Sequence, residues 1–185
     1  LKEYFKLNCH KKIFLEWDKN LSKVGTFTIN EDDPSNIKIH STTCYTHFVT
    51  NMEFNETSFF CELEVNVNQT DDYLYVGIVN EFYNFSSNCM CCNPTNSWYV
   101  QCNGTIHSNA INTNDNNFVW RSSKIIIGIK VILSSNSKSV YFYKIGGEEV
   151  GPFNLSGDKF RVVCGHCNAG NGEINILNCE EVMES

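Results

Sequence analysis

The sequence predicts an all-β fold, an antiparallel sandwich of two sheets. Three observations carry it: a period of two in the apolar residues, many short β-rich runs between polar turns, and helical spacing confined to the first residues. Phe59 to Val67 alternates most clearly. Phe59, Cys61, Leu63, Val65 and Val67 share one side, and Phe60, Glu62, Glu64 and Asn66 share the other. Successive side chains of a strand point to opposite faces, so this pattern marks a strand half buried against a core.

The other runs follow in order. Thr26 to Ile29, Ile37 to His40 and Thr46 to Val49 are short and rich in β-branched or aromatic residues. Tyr73 to Asn80, Ser97 to Cys102, Ile125 to Leu133, Ser139 to Ile145, Phe160 to Cys164 and Gly172 to Leu177 continue in the same style. Asn103-Gly104 separates Trp98–Cys102 from Thr105–Ser108, the chemistry of a tight hairpin, and Ser134 to Lys138 and Gly146-Gly147 close two more. Two stretches, Glu81 to Asn96 and Asn109 to Asn117, read as long irregular loops. Leu1 to Glu16 has spacing compatible with a short helix, followed by a strand through Lys12 to Trp17. Residues 1–18 are expected to be an N-terminal extension packed on a sandwich of residues 19–185.

Composition narrows the function. At 185 residues and 42% hydrophobic the chain is long enough for one domain with its own core. A net charge of −7 without a basic stripe argues against nucleic acid, whose phosphates need clustered Lys and Arg. No apolar run reaches membrane-spanning length, so no membrane partner is expected. Leu1 to Asn20 lacks a secretory signal and the chain opens without Met, so a segment upstream is expected.

Ten cysteines leave the redox state open. Cys61, Cys102 and Cys164 each lie in a β-patterned run, where a free thiol behaves as a small buried hydrophobe. That favours reduced thiols and a cytoplasmic or nuclear setting. Cys164 and Cys167 form a Cys-x-x-Cys pair that is half of a tetrahedral zinc site, and Cys89, Cys91 and Cys92 offer a second half or a disulfide. No partner motif sits at zinc-ribbon spacing, so neither metal nor cofactor is expected. Asn20, Asn55, Asn68, Asn84, Asn103 and Asn154 begin glycosylation triplets, but six are near chance in a chain this rich in Asn, Ser and Thr. No nucleophile elbow, P-loop or dinucleotide fingerprint occurs, and no His-Cys spacing singles out a catalytic pair.

From Phe59 onward the order of motifs resembles a SPRY domain. Phe60-Cys61-Glu62-Leu63-Glu64-Val65 is similar to that family's aromatic-x-Glu-aliphatic-x-Val strand, and Tyr75-Val76-Gly77-Ile78-Val79 to the aliphatic-Gly-aliphatic strand after it. Ser97-Trp98-Tyr99-Val100 before Asn103-Gly104 resembles its aromatic strand and turn. Ile126-Ile127-Gly128-Ile129-Lys130-Val131 and Ser139-Val140-Tyr141-Phe142-Tyr143 match the next pair, with Lys130 where an acidic residue is common. Phe160 to Cys164 and Glu173 to Ile176 fit the closing strands. The resemblance covers about residues 59 to 177.

It implies a bent sandwich without catalytic chemistry whose loops bind a peptide or protein. It also implies a place in a larger protein such as a tripartite-motif ubiquitin ligase or another adaptor. The expected binding surface combines Asp32, Asp33, Tyr45, His47, Tyr83, Phe85, Asn168 and Asn171, chosen for loop position and polar-aromatic mixing. The isolated domain is expected to be a monomer. The competing expectation is a secreted, disulfide-bonded sandwich that binds carbohydrate or a cell-surface ligand.

Overall fold

A computed structural model of the chain describes residues 9–22, 27–40, 46–55, 57–67, 74–85, 95–115, 118–120, 124–147, 149–166 and 172–183. Two antiparallel sheets face each other across one core. The larger sheet holds β1 (Cys9–Lys12), β2 (Phe27–Ile29), β3 (Asn36–Ile39), β6 (Phe59–Val67), β11 (Ile125–Ser134), β12 (Ser137–Lys144), β13 (Glu149–Asn154) and β15 (Gly172–Met183). The smaller holds β4 (Thr46–Val49), β5 (Phe54–Asn55), β7 (Tyr75–Asn80), β8 (Ser97–Gln101), β9 (Thr105–Ser108), β10 (Ile111–Asn114) and β14 (Lys159–His166). Among the described residues there is no α-helix.

β6 behaves as its alternation requires. Phe59, Cys61, Leu63 and Val65 are buried in the core, while Glu62 and Glu64 lie on the outer face. There Tyr143 donates a hydrogen bond to Glu62 at 3.1 Å, and its ring stacks on Phe60 at 5.7 Å. From the smaller sheet, Val76, Ile78, Trp98, Val100, Phe160 and Val162 close the core. Full burial of side chains of this size contributes about 1.5–3 kcal/mol each, which is why the sheets stay together.

Three local expectations need correction. Where a helix was expected, Cys9–Lys12 is a strand paired with the last third of β15. Its register sets His10 opposite Val182 and Lys11 opposite Glu181, and His10 reaches Glu180 at 2.9 Å. Opposite charges across neighbouring strands favour that pairing over a short isolated helix. The stretch from Asn109 to Asn117 is not simply a loop. Asn109 and Ala110, both at positive φ, turn the chain so that Ile111–Asn114 pairs back on β9. β13 was not foreseen because Gly151-Pro152 interrupts its pattern; as an edge strand it tolerates a residue without an N–H.

The smaller sheet departs from a simple half-buried sheet. Every residue of β7 is buried, on both faces. Its outer face carries a second apolar cluster of Val49, Tyr75, Val79, Tyr83, Tyr99 and Val163, with Leu21 and Phe85 packed against it. Gly77 and Gly165 lie in its floor. A Cβ on Gly77 would stand 2.1 Å from the Trp98 carbonyl, and one on Gly165 would enter the Tyr75 ring. Glycine is required at both by close approach.

Candidate functional site

The outer face of the smaller sheet ends in a cluster of loops built on the start of the β7–β8 connection. Asn80, 2% exposed, is the hub. Its side-chain carbonyl accepts the Phe82 N–H at 3.0 Å and its backbone carbonyl accepts the Tyr83 N–H at 3.1 Å, which folds residues 80–83 into a turn. Its side-chain amide donates to the Ser156 carbonyl at 2.9 Å and to the Asn96 side chain at 3.3 Å. Asn96 in turn donates to the Phe82 carbonyl at 3.3 Å, and its backbone N–H donates to the Asn109 side chain at 2.9 Å. Three connections are thereby tied into one rim.

Glu81 binds the rim to the β13–β14 turn. Its carboxylate accepts the N–H groups of Asp158 and Lys159 at 3.1 and 3.2 Å. Lys138 caps the same turn through the Gly157 carbonyl at 3.1 Å and the Asp158 carboxylate. A cavity of about 380 Å³ opens beside it, between Ser134–Lys138 and Asn154–Leu155.

Inside this frame Tyr83 turns inward, 4% exposed, while Phe82 stands 67% exposed. The Tyr83 ring meets the His47 ring at 6.3 Å and the Phe85 ring at 5.1 Å, and His47 meets Phe85 at 6.1 Å. The structure therefore brings three of the expected surface residues together, but as the support of the loop. His47 is fully buried and Phe85 half-buried. Phe82, which the sequence reading passed over, is the presented side chain. Its neighbour Asn80 in an Asn-x-Phe turn was the only available signal.

Asp32 and Asp33 lie elsewhere, exposed on the β2–β3 turn of the larger sheet. Asp33 lines a separate cavity of about 300 Å³ with residues 12–16 and the β15 bulge at Leu177, and its carboxylate is occupied by Ser35. Tyr45, Asn168 and Asn171 lie outside the described residues, as do Cys89, Cys91, Cys92 and Cys167. Cys164 points into the core, where burial pushes its thiol well above the ordinary range. That disfavours the thiolate a metal requires. No cluster of three or more potential metal ligands occurs among the described residues.

Chemically, the rim offers an apolar anchor ringed by amide groups held in fixed geometry. His107, stacked on Tyr99 at 4.1 Å, is pushed down to about 4 by burial, so near neutral pH it carries no charge.

No protein-family model and no curated protein sequence matches the chain. Solved structures do. The SPRY domain of human HERC1 superposes with a TM-score of 0.64 at 9% identity, covering 88% of this chain and 97% of that one. The TRIM65 PSpry domain gives 0.65 at 11% identity, covering 95% and 93%. The chain has the SPRY fold. A winged bean acidic lectin complexed with methyl-α-D-galactose also aligns, at a TM-score of 0.54 and 9% identity, over 95% of this chain and all of that one. The SPRY fold accounts for the order of motifs from Phe59 onward, and the lectin shares the sandwich. Among the described residues no helix is long and apolar enough to cross a membrane.

Proposed function

We propose that this SPRY fold is a protein-recognition module that grips a peptide or protein surface with the rim around Phe82. The observation that carries this reading is a large apolar ring, two-thirds exposed, fixed at its base by hydrogen bonds to its backbone on both sides. Ordering such a ring in advance lowers the entropic cost of binding, and aromatic anchors beside hydrogen-bonding amides are typical of binding hot spots. The module would serve as the partner-recognition part of a larger protein, such as a ubiquitin ligase, in the cytoplasm or nucleus. Cys61, Cys164 and Cys179 are buried in the core as small apolar groups, which supports a reducing setting.

The lectin likeness supports a second reading, carbohydrate binding on the same sandwich. One experiment separates the two. A displayed library of random linear peptides is selected on the wild-type chain, and the chain is applied in parallel to a glycan array. Enriched peptides should bind Phe82→Ala at least about tenfold more weakly, the effect of losing about 1.4 kcal/mol. They should bind Ile145→Ala, altered at an exposed apolar residue on another turn, as they bind wild type. Peptide binding indifferent to Phe82, or glycan binding without peptide enrichment, would overturn the proposal.

A further inference from the structure

Two thiols meet inside the sandwich. Cys61 on β6 and Cys179 on β15 are register partners, and both are buried in the core. The hydrogen-bond pattern fixes the kind of pair they form. The Val182 N–H donates to the Ser58 carbonyl at 2.8 Å, so residues 182 and 58 are a hydrogen-bonded pair. Antiparallel ladders alternate, which makes 181–59 non-bonded, 180–60 bonded and 179–61 non-bonded. The Cys179 carbonyl agrees: it turns away from β6 and accepts the Ile13 N–H at 2.8 Å. Non-bonded partners hold their Cα atoms about 4.5 Å apart with side chains close together. That spacing lies within the about 4.4–6.8 Å window for a disulfide. The Cys179 side chain lies near enough to act directly on the Cys61 thiol.

We propose that Cys61 and Cys179 are an oxidation site, forming a cross-strand disulfide that staples β6 to β15, with glutathione disulfide as the oxidant. One cysteine thiolate attacks a sulfur of glutathione disulfide and expels a glutathione thiolate. The second cysteine then attacks the mixed disulfide and expels the other glutathione. The protein loses two electrons and two protons, and glutathione disulfide is reduced to two glutathione molecules.

Burial decides when this happens. The Cys179 side chain and desolvation both push the Cys61 thiol up, so little thiolate exists once the sheets have closed. Exchange is therefore confined to folding, or to opening of β15 from β6. A chain that folds reduced stays reduced in the same buffer that oxidises it during folding. Cys164 faces the same interior from the other sheet and is the competing partner for Cys61. It lies across the core, whereas Cys179 is the strand neighbour.

The full chain, unfolded and reduced, is refolded in a mixture of glutathione and glutathione disulfide. Remaining thiols are blocked with N-ethylmaleimide and the digest is read by mass spectrometry. The expected result is a linked peptide joining Cys61 to Cys179, absent from Cys179→Ala, and a Tm about 5–10 °C above that of the reduced chain. Reduced chain that is folded first should keep both thiols in that mixture. The same peptide map on chain secreted into an oxidising bacterial periplasm reads the linkage without a refolding step. Both cysteines alkylated in both preparations, or Cys61 linked to any other cysteine, would overturn the proposal.

Discussion

The side-chain carbonyl of Asn80 accepts the backbone N–H of Phe82, and the side-chain amide of the same Asn80 holds Asn96 and Ser156. One buried side chain thus ties two connections together and aims one exposed ring.

Asn80→Ala removes all three bonds and leaves their partners to compete with water. It should cost about 2–3 kcal/mol, read as a lower urea midpoint with an unchanged slope. Amide exchange should accelerate at Phe82 and Tyr83 before it does in β6. Equal protection of those amides in wild type and variant would contradict the hub role.

Gly77 and Gly146 make an opposed pair. A Cβ on Gly77 strikes the Trp98 backbone, which cannot swing aside, so Gly77→Ala should cost about 3 kcal/mol. Gly146 sits at φ 76° with nothing within 4 Å, so Gly146→Ala meets only backbone strain of about 1 kcal/mol. Equilibrium unfolding of both variants checks the order.

His107 couples stability to acid. Its folded value, about 4, lies below the ordinary 6.5 because burial disfavours the cation. Between those values the unfolded chain binds the proton and the folded chain does not. The contribution is fully present above about pH 6.5 and is lost as the pH falls towards 4. His107→Gln should flatten that part of the stability profile. A wild-type midpoint that stays constant across the window would refute the shift.

Lys130, 7% exposed on the outer face of β11, is ion-paired with Glu149 and lies 5.5 Å over the Tyr141 ring. Removing Glu149 leaves the buried Lys130 cation without that counter-charge, whereas removing Lys130 leaves a carboxylate that water can still reach. Glu149→Ala should therefore destabilise by about 1–2 kcal/mol, a figure reduced because Glu149 is partly solvated. Lys130→Met should be closer to neutral. Thermal unfolding of the two variants ranks them.

Period-two alternation made β6 legible to the residue, because one of its faces is buried and the other is not. The Asn103-Gly104 turn was legible because its geometry demands those residues, with Gly104 at φ 87°. β7 gave a weaker signal: apolar on both faces, it does not reveal that a second cluster covers its outside. β1 and β10 escaped notice because their residues are mostly polar and their stability lies in cross-strand pairing, which no local window contains. At the candidate site, the sequence marked Tyr83 and Phe85 and not the exposed Phe82 between Asn80 and Tyr83. Whether Phe82 or Tyr83 faces outward is decided by Asn80 contacts with residues far along the chain.

The doubly covered β7 also constrains how this architecture diversifies. In a sheet with one wet side, a connecting segment can be lengthened, shortened or exchanged with little penalty to the scaffold. Here the segment after Asn80 supplies Tyr83 and Phe85 as a plug over Tyr75, Tyr99 and Val163. Any transplant of new specificity must bring its own plug, or the graft will uncover a greasy surface and precipitate.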